Sequence, residues 1–120
     1  MTDHLGLIIE DDKDLAAIFA EALHLANLET EVIVDGAAAA ARLQEVVPKV
    51  VVLDLHLPHV SGEALLRQIR SRPALAGTRV IIATADPVMA EGLSLEADLV
   101  LIKPVSFAQL RDFAIRMKSA

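Results

Sequence analysis

Short apolar runs alternate along this chain with stretches whose apolar residues recur every three or four positions. The first kind predicts strands and the second amphipathic helices. "LGLII" is the first run and ends in Glu10-Asp11-Asp12. Leu15, Ile18, Phe19, Ala22, Leu25 and Ala26 then recur at helical spacing, with Asp12 as the N-cap. "ETEVIV" is a second strand, whose charged Glu29 and Glu31 suit an edge position. Asp35-Gly36 opens an alanine-rich helix, and Pro48 follows it. "KVVVLD" is apolar on both faces, as a central parallel strand is.

The second half repeats the alternation. Ser61 is placed to N-cap a helix carrying Leu65, Leu66 and Ile69, and "SRPALAG" reads as a loop. "TRVIIAT" is the fourth strand. Asp86-Pro87 pairs an N-cap with an N1 proline, ahead of a short helix weakened by Gly92. "DLVLI" is the fifth strand. Ser106 and Gln109 have capping-box spacing, and Leu110, Phe113, Ala114 and Met117 line one face of a last helix. Five β-α units with short strands predict an α/β fold, a five-stranded parallel sheet with helices on both faces.

Composition narrows the classes. At 120 residues and 54% hydrophobic, the chain suits one domain spanning 1–120. With 2% aromatics the core is aliphatic. No cysteine means no disulfide, no cysteine nucleophile and no thiolate zinc site, which agrees with a cytoplasmic location. "MTDHLGLIIEDD" has no basic segment of a signal peptide, and no apolar stretch reaches the ~20 residues of a membrane span. A net charge of −6 argues against non-specific nucleic-acid binding by this chain.

In an open parallel sheet, sites lie beyond the carboxyl ends of the strands. Those ends carry Glu10-Asp11-Asp12, Asp54, Thr84 and Lys103. If the first and third strands are neighbours, Asp11 and Asp54 approach. Two like charges ~5 Å apart repel by roughly 3 kcal/mol at an effective dielectric of 20. A hard divalent cation offsets that repulsion, and Mg²⁺ typically uses one or two carboxylates and keeps room for a phosphate oxygen. Lys103 adds a second positive charge. Asp54, His56 and His59 also suggest a transition-metal set, but their spacing fits no compact site and Pro58 stiffens the segment.

"LGLIIEDD", "VVVLDLHLPHVSG", "VIIATA" and "VLIKPVS" resemble, in order and spacing, the motif blocks of the response-regulator receiver domain. The resemblance covers essentially the whole chain and implies a flavodoxin-like strand order 2-1-3-4-5. It implies that Asp54 takes a phosphoryl group from the phosphohistidine of a sensor histidine kinase or phosphotransfer protein. An aspartate is ordinarily ionised at neutral pH and needs no general base for this. It implies that Asp11 and Asp54 bind Mg²⁺ directly, Glu10 mostly through water, and His56 through its backbone carbonyl. Thr84 would be the switch hydroxyl, Ala85 the small residue leaving room for the phosphoryl group, and Lys103 the partner of the phosphoryl oxygens. His56 and Asp86 occupy positions that influence acyl-phosphate hydrolysis. Lys103-Pro104 matches a step that is usually cis, and Pro58 and Gly62 match the loop before the third helix.

Two departures qualify the resemblance. Val100 stands where the family usually has Tyr or Phe, and valine is short and stiff at χ1. Any switch is then expected to rely on the loop after the fourth strand and the helix following it. Glu96 stands where many members have glycine. The family's common output and dimer surface is the face formed by the fourth helix, fifth strand and fifth helix. The main expectation is a signalling switch that catalyses its own phosphorylation and dephosphorylation, either alone or as the N-terminal part of a longer protein. The rivals are a phosphorylation-independent interaction module on the same fold and a haloacid-dehalogenase-type phosphatase. The last wants a second aspartate where His56 stands.

Overall fold

The computed structural model describes residues 4–119. Its strands are β1 (Leu5–Ile9), β2 (Glu29–Ile33), β3 (Val50–Asp54), β4 (Arg79–Thr84) and β5 (Leu99–Ile102). They form one parallel sheet in the order β2-β1-β3-β4-β5, as the resemblance implies. The helices are α1 (Lys13–Leu25), α2 (Gly36–Arg42), α3 (Gly62–Ser71), α4 (Pro87–Glu91) and α5 (Phe107–Ser119).

The caps read from the sequence are made. Asp12 accepts from the Asp14 and Leu15 amides at 3.0 and 3.1 Å. Asp35 accepts from Ala37 and Ala38 at 2.7 and 3.1 Å. Ser61 accepts from Ala64, Asp86 from Met89, and Ser106 from Gln109, at 3.1, 3.1 and 3.2 Å. Each satisfies a backbone donor that the first turn of a helix leaves unpaired.

Side chains alternate across the sheet with a period of two. Ile8, Val50, Val52, Ile81, Ala83 and Leu101 are buried with Phe19, Ala22 and Leu23 of α1 and Leu110 and Ala114 of α5. Leu7, Ile9, Val51, Leu53, Val80 and Ile82 are buried against Ala39 of α2 and Leu65, Leu66 and Ile69 of α3. β2 is an edge strand whose Glu29, Thr30 and Val32 are exposed.

Three details differ from the expectation. The buried face of α1 is Ala16, Phe19, Ala22 and Leu23, whereas Ile18 and Leu25 are each 48% exposed. The helix turns Phe19 and Leu23 with the two alanines inward and leaves Ile18 and Leu25 outside. "SRPALAG" is more ordered than a loop: α3 runs to Ser71, and Pro73–Leu75 makes a 3₁₀ turn that buries Leu75. Strand β5 is four residues long and starts only at Leu99.

Candidate phosphoryl-acceptor site

The alternation that builds the core also builds the site. Two residues beyond Ile8 on the same face comes Glu10; beyond Val52 comes Asp54; beyond Leu101 comes Lys103. Register brings them together, since Ile9 pairs with Leu53 and Thr84 with Ile102. The ladder continues past the strand ends: the Glu10 amide donates to the Ile33 carbonyl at 3.0 Å and the Lys103 amide to Thr84 at 2.8 Å. Both side chains are therefore held by backbone that the sheet has already fixed.

Glu10 and Asp54 are buried, at 1% and 4% exposure, and Asp11 is exposed. One oxygen from each of the three lies within 4.8 Å of the other two. Lys103 Nζ donates to Glu10 Oε1 at 2.8 Å and sits 3.6 Å from Asp54 Oδ1. The amides of Asp12 and His56 add donors, to Glu10 Oε2 at 3.2 Å and Asp54 Oδ1 at 3.3 Å. Burial pushes the Glu10 carboxyl up to about 7, against the pull of Lys103 and the Asp12 amide, and the Asp54 charge adds to the rise. Burial alone would lower Lys103, but its hydrogen bond to Glu10 and the Asp54 and Glu10 charges outweigh that and hold the ammonium above its ordinary value. A single lysine against three carboxylates leaves an excess of hard oxygen donors, which suits a divalent cation.

The other expected residues are placed as follows. Thr84 is fully buried at the end of β4, and its hydroxyl accepts from the Asp86 amide at 3.1 Å. It belongs to the opposite alternation from Asp54. Ala85 and His56 are exposed at the mouth of the site, and Asp86 is half-buried. Val100 is partly buried against the α2/α3 side of the core. Lys103-Pro104 is cis. Asp54, His56 and His59 do not converge: His59 Nδ1 lies 2.5 Å from Asp35 Oδ2 instead. The direct Glu10–Lys103 pair and the Asp35–His59 pair were not foreseen, because each joins residues far apart in the chain.

Five parallel strands in this order, with an acid pair, a buried aspartate and a lysine at their carboxyl ends, define a receiver-type α/β domain. The family model described as the response regulator receiver domain matches residues 7–115, and the chain belongs to that family: it is the receiver domain of a two-component response regulator. It is 35% identical over 106 residues to the phosphate regulon transcriptional regulatory protein PhoB of Rhizobium meliloti, covering 86% of this chain and 47% of that one. The chain spans about half the length of the curated relatives it matches. Among solved structures, a receiver domain of a signal transduction histidine kinase from Syntrophus aciditrophicus aligns with a TM-score of 0.84 and 28% identity, over 97% of this chain and 90% of that one. The receiver domain of the sensor histidine kinase PA1611 from Pseudomonas aeruginosa, with magnesium in its active-site cleft, aligns with a TM-score of 0.85 over 98% of both chains at 20% identity. Among the described residues no helix is long and apolar enough to cross a membrane.

Proposed function

We propose that the chain accepts a phosphoryl group on Asp54 from the phosphohistidine of a sensor histidine kinase or phosphotransfer protein. The observation that carries this reading is the buried Asp54 carboxylate with Lys103 Nζ at 3.6 Å, beside Glu10 and Asp11. One Asp54 oxygen forms a bond to phosphorus as the P–N bond of the donor breaks, and the leaving imidazole takes up a proton. Lys103 is placed to balance negative charge gathering on the phosphoryl oxygens. Exposed Ala85 puts only a methyl group at the mouth, which leaves space for the incoming group.

Glu10, Asp11 and Asp54, with the backbone carbonyl of His56, fit Mg²⁺ as the resident cation. When bound, Mg²⁺ neutralises charge on the acid cluster and on the transferred group. The oxygen-only donor set and its span of 4.8 Å support that choice. The Thr84 hydroxyl would leave the Asp86 amide for a phosphoryl oxygen, drawing in the β4–α4 loop. His56 and Asp86 stand at the positions that the resemblance links to acyl-phosphate hydrolysis, so His56→Ala is expected to alter the lifetime of the phosphorylated form.

Mass spectrometry after incubation with Mg²⁺ and acetyl phosphate tests the reading. One added phosphoryl group, abolished in Asp54→Asn and by EDTA, supports it; no addition to the wild-type chain rejects it in favour of a phosphorylation-independent module, for which Val100 is the supporting observation. Exposed Val88 and Leu95, at 79% and 100%, support the α4–β5–α5 face as a surface for output or homodimer contacts. A cytoplasmic location and a chain acting as one domain complete the proposal.

A further inference from the structure

We propose that His59 is a positioning residue, clipped to Asp35 so that the loop between β3 and α3 is held in place beside Asp54. This rests on the phosphoryl-acceptor reading above and deepens it.

His59 has φ 72°, in the left-handed region, which is uncommon outside glycine although Asn, Asp and His enter it more often than other residues. Its ring is largely exposed, so packing does not account for the conformation. The Val60 amide donates to the Pro58 carbonyl at 2.9 Å across His59, and the side chain reaches Asp35, 24 residues earlier, where Nδ1 and Oδ2 are 2.5 Å apart. The Ala38 amide, then His59 itself, hold the Asp35 carboxyl below its ordinary value, so the carboxylate accepts and the proton sits on Nδ1. Asp35 uses both oxygens: Oδ1 caps α2 and Oδ2 takes His59.

The backbone doubles the link. The Gly36 amide donates to the Pro58 carbonyl at 3.0 Å, and a Cβ on Gly36 would overlap the Val60 backbone. The start of α2 is thus a seat for residues 58–60. The same short loop supplies the His56 amide to Asp54 Oδ1 at 3.3 Å and returns to β3 through the Gly62 amide on Leu55 at 3.1 Å. Fixing residue 59 therefore fixes the stretch that carries the His56 amide and carbonyl to the phosphoryl site. The Pro58–Val60 bond turns the backbone locally, and the side-chain pair anchors that turn to the start of α2.

Two variants isolate the clip. Asp35→Ser keeps an N-cap oxygen for α2 and removes the carboxylate. His59→Gly removes the ring and relieves the left-handed backbone. The first readout, without metal, is amide hydrogen exchange at His56 and Gly62. Each variant is expected to exchange about tenfold faster there, and the double variant no faster than the faster single, because both break one contact. The second readout is the Mg²⁺ concentration that half-saturates the His56 amide chemical shift, expected to rise about threefold or more in each single variant. Unchanged exchange, or additive effects in the double variant, overturns the clip. Faster exchange with unchanged Mg²⁺ half-saturation makes the pair merely structural and overturns the positioning role. A wild-type chain with no Mg²⁺ response sinks the functional reading instead, and metal-free exchange alone then decides whether the clip holds the loop.

Discussion

Glu10 is the residue where burial and charge conflict most. Its folded value of about 7 lies above its ordinary 4.5, so between those values the folded chain holds a proton that the unfolded chain has released. The sign follows: the contribution to stability is full below about 4.5 and is lost as pH rises through about 7. Urea unfolding in EDTA should show a chain less stable at pH 8 than at pH 5, by up to about 3 kcal/mol from this group, with the slope flattened in Glu10→Gln. Lys103 does not alter this window, because its raised value matters only in alkali. Metal reverses the balance. A ligand that must lose its proton binds metal better at higher pH, so Mg²⁺ affinity measured by titration should rise about tenfold from pH 6 to pH 8. The types and positions of Glu10, Asp11, Asp54 and Lys103 were legible in the sequence. That Lys103 bonds Glu10 more closely than Asp54 was not, because 93 residues separate the pair and only the sheet register decides it.

The elements were legible wherever one local signal dominated. Caps at Asp12, Asp35, Ser61, Asp86 and Ser106 were plain because a side-chain oxygen and the first-turn amides are neighbours in sequence. The buried face of α1 was legible in part: Phe19, Ala22 and Ala26 are buried as their spacing predicts, whereas Ile18 and Leu25 lie outside and Ala16 and Leu23 inside. Hydropathy was silent on that rotation of the face, because the sheet and not the helix settles it. The left-handed turn at His59 was equally silent, since the usual signal for it is glycine. Gly62 carries a different, steric signal. A Cβ there would run into the backbone of Asp54 and Leu55, so α3 starts directly against the end of β3. Gly62→Ala is expected to cost about 2–4 kcal/mol in urea unfolding, because backbone and not a pliable side chain must move. In contrast Ile18→Gln, on the exposed side of α1, should stay within about 0.5 kcal/mol of wild type.

At the scale of the whole molecule, the passage from α4 to β5 has little regular structure of its own. Helix α4 has five residues, and irregular chain follows until Leu99. Arg70 on α3 ties this passage down. Its guanidinium donates to the Glu96 carbonyl at 2.8 Å, the Thr78 carbonyl at 2.9 Å and Asp98 Oδ2 at 2.9 Å. Asp98 also accepts from the Val80 amide at 2.8 Å and from Arg79 at 3.2 Å. Arg70→Ala should cost about 2 kcal/mol, and hydrogen exchange should quicken between residues 92 and 98 while β1 and β3 keep their protection. The parallel order itself was readable from five β-α units and the motif blocks. This tether was not, because an arginine on a helix usually reads as solvated surface.

The span of the Glu10–Lys103 pair has a further meaning for synthesis. A nascent chain halted before β5 already owns its acid pair and Asp54, yet lacks the cation that completes them. The site is therefore completed only once β5 has joined the sheet beside β4, and the Glu10–Lys103 contact marks the docking of the fifth β-α unit.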